Sequence, residues 1–147
     1  MSRAFPLAGL LRVRERAEER AASELAAARR AEQAVRDRQR ATREALAGST
    51  LPEGTDRLAW IAAVASRSSL ALLLQEAEND VALAEQHVAE QAQLWSHARR
   101  EVRAIDRLAE RHDETERALE AHAEQVTLDE VASRLTTETT RTPGGGA

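Results

Sequence analysis

The sequence predicts an all-α fold in which two long helices form an antiparallel coiled-coil hairpin with a C-terminal helix overhang. Three observations predict it: the places of the helix breakers, the repeat of the apolar residues, and the unequal lengths of the two helices. All glycines and prolines lie at 6–9, 48–54 and 143–146. Because glycine costs about 1 kcal/mol and proline about 3 kcal/mol inside a helix, the stretches between them are predicted to be helical.

The breakers set the predicted boundaries of one hairpin domain over residues 1–135. Helix one is expected at about 6–47, the turn at 48–56 and helix two at about 57–135. Pro6 suits the first turn of a helix, and Asp56 is a plausible N-cap for helix two. The stretch 136–147 is rich in threonine and glycine and is predicted to be a disordered tail.

The composition argues against an enzyme and favours long helices. Only 2% of the residues are aromatic, and the chain has neither cysteine nor lysine, which excludes a disulfide framework, a thiolate metal site and a catalytic lysine. None of the four histidines has the Glu-x-x-His spacing of bundle metal sites. We therefore expect no catalytic, cofactor or metal site. No apolar run approaches the roughly 20 residues of a membrane span, so we expect a cytoplasmic protein without direct membrane insertion.

Charge is distributed unevenly along the chain, whose formal net charge is −4. Helix one is basic and helix two acidic, which favours a side-by-side arrangement of the two helices. Asp and Glu are interleaved with the arginines of helix one, so we do not expect nucleic acid as a partner.

Helix two carries a heptad repeat over most of its length. With Trp60 taken as an a position, sixteen of the twenty a and d positions from Trp60 to Val126 are apolar, a pattern typical of coiled coils. We call this a/d stripe the seam. It is interrupted by Arg67, Gln91, His112 and Glu116.

Helix one carries a less regular apolar face that runs from Leu7 to Leu46. If the chain reverses within 48–54, the residue numbers of antiparallel partners should have a constant sum. Pairs such as Leu46–Trp60, Leu25–Val81 and Leu11–Trp95 have sums of 105 or 106. This register is the predicted one, and it places each tryptophan opposite a leucine.

The two helices are unequal in length. At 1.5 Å per residue, helix one would span roughly 60 Å and helix two roughly 120 Å. About half of helix two would then lack an intramolecular partner, although the seam continues through it from Ile105 to Val126. An exposed apolar stripe of this length is usually a binding surface.

Two terminal motifs resemble those of a known family. The stretch Phe5-Pro6-Leu7-Ala8-Gly9-Leu10-Leu11-Arg12-Val13-Arg14-Glu15 resembles the Phe-x-Leu-x-x-aliphatic-Leu-x-aliphatic-Arg start of FliJ proteins. The stretch Glu124 to Arg134 resembles the family's closing Glu…Leu-Asp-Glu-x-Ala-x-Arg. The spacing of Trp60 and Trp95 is also similar to that of some members.

The resemblance implies a function that the residues alone do not establish. FliJ proteins are coiled-coil stalks of the flagellar type III protein-export apparatus, needed for flagellum biogenesis and hence for motility and chemotaxis. The implied partners are the hexameric export ATPase FliI, the cytoplasmic domain of the export gate FlhA, and export chaperones. The implied location is the cytoplasm, peripheral to the inner membrane. The alternative from another functional class is a generic coiled-coil scaffold or homodimerisation module.

The resemblance also implies contact residues. The gate-contacting set comprises Arg38, Thr42, Ala45, Ser66, Leu70, Leu73 and Ala77. For Leu70 and Ala77, which are seam positions, a role in the core is the alternative. The ATPase-contacting set, toward the open end of the hairpin and the overhang, comprises Phe5, Leu7, Arg14, Ile105, Leu108, His112, Leu119 and Val126.

Overall fold

Two α-helices make up nearly all of the chain. The computed structural model describes residues 4–54 and 56–140, with side chains up to residue 137. Helix α1 spans Ala8–Gly48 and helix α2 spans Arg57–Thr140, and residues 4–54 and 56–140 contain no strand. The two long helices pack against each other, so the predicted all-α helical hairpin is confirmed.

The chain divides into two compact units. The terminal unit comprises residues 1–13 and 101–147, and the turn unit comprises residues 14–100. Helix α2 continues to Thr140, beyond the predicted end at residue 135. Within this extension the Thr136 and Thr137 hydroxyls donate to the carbonyls of Ala132 and Ser133. The rest of the predicted disordered tail, 141–147, lies outside the described residues.

The helix ends in the turn unit have local causes. The Asp56 carboxylate accepts hydrogen bonds from the Leu58 and Ala59 amides at 3.0 and 3.4 Å, which confirms it as the N-cap of α2. At the other end of the connection, the Ser49 hydroxyl donates to the Leu46 carbonyl at 2.7 Å and closes the end of α1. Gly54 has a φ of 147°, a backbone conformation that L side chains rarely adopt.

The predicted seam is the contact face of α2. Every a and d position from Ala63 to Ala98 in the turn unit, and from Val102 to Glu116 in the terminal unit, is buried or partly buried. The predicted face of α1 is likewise buried or partly buried between Leu11 and Leu46. The core of the turn unit consists of small and medium apolar side chains, namely Leu25, Ala28, Ala77 and Ala98.

The predicted register between the helices is wrong. It would place Arg43 opposite residues 62–63, but Nη2 of Arg43 lies 3.4 Å from Oε1 of Glu78. Similarly, Nη2 of Arg36 lies 2.6 Å from Oε1 of Glu85 rather than beside residues 69–70. Partners on α2 therefore lie ten or more residues further along than expected. Trp60, expected to face a leucine of α1, is 48% exposed.

The connection between the helices explains this displacement. The guanidinium of Arg67 donates to the Ser49 carbonyl and, at 3.0 Å, to the Ser49 hydroxyl. Because α2 begins at Arg57, this contact places Ser49, at the end of α1, beside the third turn of α2. A tight reversal was assumed in the prediction, whereas α2 here starts about three turns before its pairing with α1 begins.

In the terminal unit, pairing extends further along α2 than predicted. The Phe5 and His112 rings make an edge-to-face contact, with centroids 5.7 Å apart. Val102 and Ile105 are buried, Ile105 to 8% exposure. The expectation that Ile105 lies free of the intramolecular pairing is therefore wrong, because α1 and the residues before it reach past this position. Residues 117–137 are all exposed, and we call residues 117–134 the free segment.

Helix α2 also meets a length-and-composition criterion for a membrane span. An 18-residue window within it has a mean hydropathy of 1.4 and none of that window is buried. One helix of this kind is only a weak indication of a span. The expectation that the chain does not insert directly into a membrane stays a prediction.

Candidate partner-binding surfaces

Cross-helix ion pairs line the turn unit. Besides the pairs of Arg36 and Arg43, Arg38 Nη1 lies 3.5 Å from Asp80 Oδ2, and Arg99 Nη1 lies 3.0 Å from Glu18 Oε1. Arg99 also lies over the ring of Trp95, 5.5 Å from its centroid. Three of these pairs join an α1 arginine to an α2 acid, which agrees with the charge asymmetry of the sequence.

Arg36 pairs with two acids, Glu32 on its own helix and Glu85 on α2. Its hydrogen bond to Glu85 and the charge of Glu32, 2.7 Å away, raise the pKa of the guanidinium above its usual value. A group with a raised folded-state pKa loses its contribution to stability only as the pH rises through that pKa. Because arginine is already protonated at all ordinary pH values, this shift adds no pH dependence near neutrality.

The structure brings four of the seven predicted gate-contact residues together. Arg38, Thr42, Leu73 and Ala77 line one groove with a cavity volume of about 220 Å³, completed by Glu76 and Asp80. The Thr42 hydroxyl donates to the Arg38 carbonyl at 2.9 Å, which directs this threonine toward its own helix. Ala77 is buried. It therefore packs in the core and also lines the groove.

The other three predicted gate-contact residues do not line that groove. Ala45 and Ser66 are exposed, and Leu70 is partly buried on the seam. The core alternative for Leu70 is consistent with this burial. A contact role for each of the seven residues stays a prediction.

The predicted ATPase-contact residues fall into two groups. Phe5, His112 and Ile105 take part in packing inside the terminal unit. Leu7, Leu108, Leu119 and Val126 are exposed in the same unit. Arg14 belongs to the turn unit and is partly buried. Among these eight residues, Leu119 and Val126 alone lie within the free segment.

The free segment presents the seam without a partner among the residues that the structure describes. Leu119 and Val126 are d positions, 58% and 44% exposed, with Ala123 between them as an a position. Leu128 is also exposed, but it occupies an f position on the opposite face of the helix. A helix that buries nothing gains little stability from its apolar stripe, so the d-face of this segment is suited to an intermolecular contact.

Sequence reasoning missed the role of Arg67. It was recognised as an interruption of the seam, and it is the single basic residue between Arg57 and Arg99. A lone cation on an otherwise apolar contact face requires a polar partner, and the carbonyls at the end of a helix are favourable ones. That reasoning could have placed Arg67 beside Ser49 and corrected the register.

Among the described residues, no group of three or more His, Asp or Glu side chains is arranged to hold a metal ion. The Nδ1 atom of His112 is buried without a hydrogen-bond partner and lies 3.8 Å from Oδ1 of Asp113. This side chain packs on Phe5, and its environment is that of a core residue.

Comparison with known proteins identifies one related family. The family model described as "Flagellar FliJ protein" matches residues 2–140, which is nearly the full length of the chain. No curated protein and no solved structure gives a match.

Proposed function

The chain belongs to the FliJ family of flagellar export proteins, and we propose that it acts as the non-enzymatic stalk of the export ATPase. In this role it engages the hexameric ATPase FliI and promotes its assembly. We further propose that it contacts the cytoplasmic domain of the export gate FlhA and escorts export chaperones. This work takes place in the cytoplasm, at the inner face of the membrane.

The free segment is the observation that carries the proposal. It extends α2 by about five turns beyond the last partly buried seam position, Glu116. It keeps apolar d positions at Leu119 and Val126 that no residue in the described part of the chain covers. A single helix with such a stripe fits the central opening of a ring, where surrounding subunits supply the missing contacts.

The groove in the turn unit supports the gate contact. Its lining combines an apolar floor, Leu73 and Ala77, with the ion pair between Arg38 and Asp80. Partner helices commonly bind in apolar grooves through a few anchoring side chains. The gate contact is therefore proposed for these residues rather than for Ala45 or Ser66.

The test compares matched variants in the free segment. The full-length chain is mixed with its cognate ATPase, and ATP hydrolysis and ring formation are measured. The double variant Leu119→Asp/Val126→Asp places charges on the d face, and Leu128→Asp places one on the opposite face. We expect the double variant to lose most of the stimulation and Leu128→Asp to keep most of it.

Two results would contradict the stalk proposal. One is equal loss of stimulation in the d-face and opposite-face variants, which would remove the face specificity. The other is an absence of stimulation by the unmodified chain together with a stable self-dimer in sedimentation, which would favour the scaffold alternative. Circular dichroism of each variant checks that the helices are intact.

A further inference from the structure

The outer face of α2 in the turn unit carries a second apolar stripe. Ile61, Leu72, Leu83 and Leu94 recur every eleven residues and are 47%, 68%, 65% and 57% exposed. Eleven residues make three turns at about 3.67 residues per turn, so side chains at this spacing remain nearly in line. We call these four residues the outer ridge. At 1.5 Å per residue it is roughly 50 Å long.

The middle of the outer ridge faces away from α1. Leu72 and Leu83 occupy f and c heptad positions, opposite the seam positions Arg67, Leu74 and Val81, which are partly buried. Leu94 occupies a g position, which flanks the seam beside the buried Ala98. The intervening positions on the ridge side, such as Ala65 and Ser69, are small and exposed. Small residues between large ones allow a second helix to approach the backbone closely.

The charge on this face is of one sign. Between Arg57 and Arg99, α2 contains a single basic residue, Arg67, which is bound to Ser49. The same stretch contains five acids, of which Glu78, Asp80 and Glu85 pair with arginines of α1. The remaining two, Glu76 and Glu90, share the c heptad position of Leu83. Glu76 also borders the groove that Arg38 and Asp80 line.

Neither remaining acid is neutralised within the described chain. Both are exposed, and Glu90 accepts a hydrogen bond from the Gln86 amide at 3.1 Å, which orients the carboxylate but leaves its charge. Pairing this face with a second copy would bring like charges together, and an anionic membrane surface would repel it. A cation-bearing apolar surface is complementary to it.

We propose that the outer ridge binds an amphipathic helix of another protein that carries basic residues beside its apolar stripe. The leucines enter the apolar stripe of that helix, and Glu76 and Glu90, fourteen residues apart, pair with its arginines or lysines. This surface is distinct from the free segment and goes beyond the proposed ATPase function. Leucines that recur in line along an exposed helix pack against a second helix as in a coiled coil.

A pair of synthetic peptides tests the charge preference. Each is an amphipathic helix of about 35 residues, enough to cover the ridge at 1.5 Å per residue, with leucine every eleven residues. One peptide has arginine at the flanking positions and the other has glutamate. Fluorescence anisotropy with the full-length chain should show binding of the arginine peptide and at least about tenfold weaker binding of the glutamate peptide.

Variants of the chain test the location. Leu72→Ser/Leu83→Ser should weaken binding of the arginine peptide by about tenfold or more, and Glu76→Gln/Glu90→Gln should weaken it less and reduce its salt dependence. Leu128→Ser, an exposed leucine in the terminal unit, should leave binding unchanged. All substituted side chains are exposed, so circular dichroism should show an intact fold.

Several outcomes would overturn the proposal. Equal binding of the two peptides would remove the charge preference, and equal binding by the Leu72→Ser/Leu83→Ser and Leu128→Ser variants would remove the location. Self-association in sedimentation, or binding to vesicles of anionic phospholipid, that is lost in the Leu72→Ser/Leu83→Ser variant would assign the ridge to a second copy or to a membrane. ATPase stimulation is expected to be unchanged in that variant, which separates this test from that of the stalk.

Discussion

Truncation of Leu25 is the most direct test of the packing in the turn unit. Leu25 is 6% exposed on the contact face of α1, whereas Leu72 is 68% exposed on the outer ridge of α2. Leu25→Ala and Leu72→Ala therefore make the same chemical change in a buried and an exposed place. Both positions lie inside helices and in the same unit, so helix propensity favours alanine slightly at each.

The expected magnitude follows from the atoms removed. Leucine to alanine deletes three carbon atoms, each worth about 0.8 kcal/mol when buried. At Leu25 nearly all of this is lost, so the free energy of unfolding should fall by roughly 2–3 kcal/mol. This is the low end of the range for globular cores, because a two-helix layer can close around the gap from its open sides. At Leu72 the change should be within about 0.5 kcal/mol.

Urea denaturation followed by circular dichroism measures both values. With an m-value of about 2–3 kcal/mol/M, the midpoint of Leu25→Ala should fall by roughly 1 M. The midpoint of Leu72→Ala should stay close to that of the unmodified chain. A shift for Leu25→Ala no larger than that for Leu72→Ala would refute the assignment of this face as the core.

Three further predictions concern the register, the connection and the terminal unit. Arg43→Glu and Glu78→Arg should each lower stability by up to about 1 kcal/mol, and the double reversal should restore it in urea denaturation; failure to restore it would argue against this pairing. Arg67→Met should lower stability by about 1–2 kcal/mol through loss of its charged hydrogen bonds to Ser49, and an unchanged midpoint would contradict that role. Ile105→Asp should cost more than about 3 kcal/mol because it buries a charge, visible as a lower melting temperature; normal melting would restore the sequence expectation that Ile105 is free.

The heptad repeat was sufficient to predict which faces of the helices meet. Leu25 and Ala77 were both assigned to the contact faces from spacing alone, and both are buried. Burial at 3.5-residue spacing is a local property of each helix, so it can be deduced without knowing the partner. The Asp56 cap is local in the same sense.

The register could not be deduced in that way. Alanine recurs so often on both contact faces that several alignments, displaced by whole heptads, place small residues opposite small ones. The choice among them depends on the contact between Arg67 and Ser49, which does not follow from periodicity. The error displaced Ile105 from the core to the surface in the prediction, and it made the unpaired part of helix two too long.

Some of the candidate surfaces could be predicted from the sequence and others could not. Leu119 and Val126 lie beyond the paired region under either register, so their exposure was foreseen. The gate-contact set came from family resemblance, and the structure places four of its members around one groove. The outer ridge was not foreseen, because an eleven-residue spacing is hidden in a sequence searched for heptads.

The hydrogen bonds between Arg67 and Ser49 determine which measurements can detect a shifted helix register. Sliding by one heptad would leave nearly the same helix content and nearly the same burial, while changing how much of α2 protrudes by about 10 Å. Substitution of Arg67 or Ser49 would thus produce mixtures of two helix registers. Circular dichroism would not distinguish such a mixture from the unmodified chain. Spin-label or fluorescence distance measurements between the two helices would resolve such mixtures as separate populations.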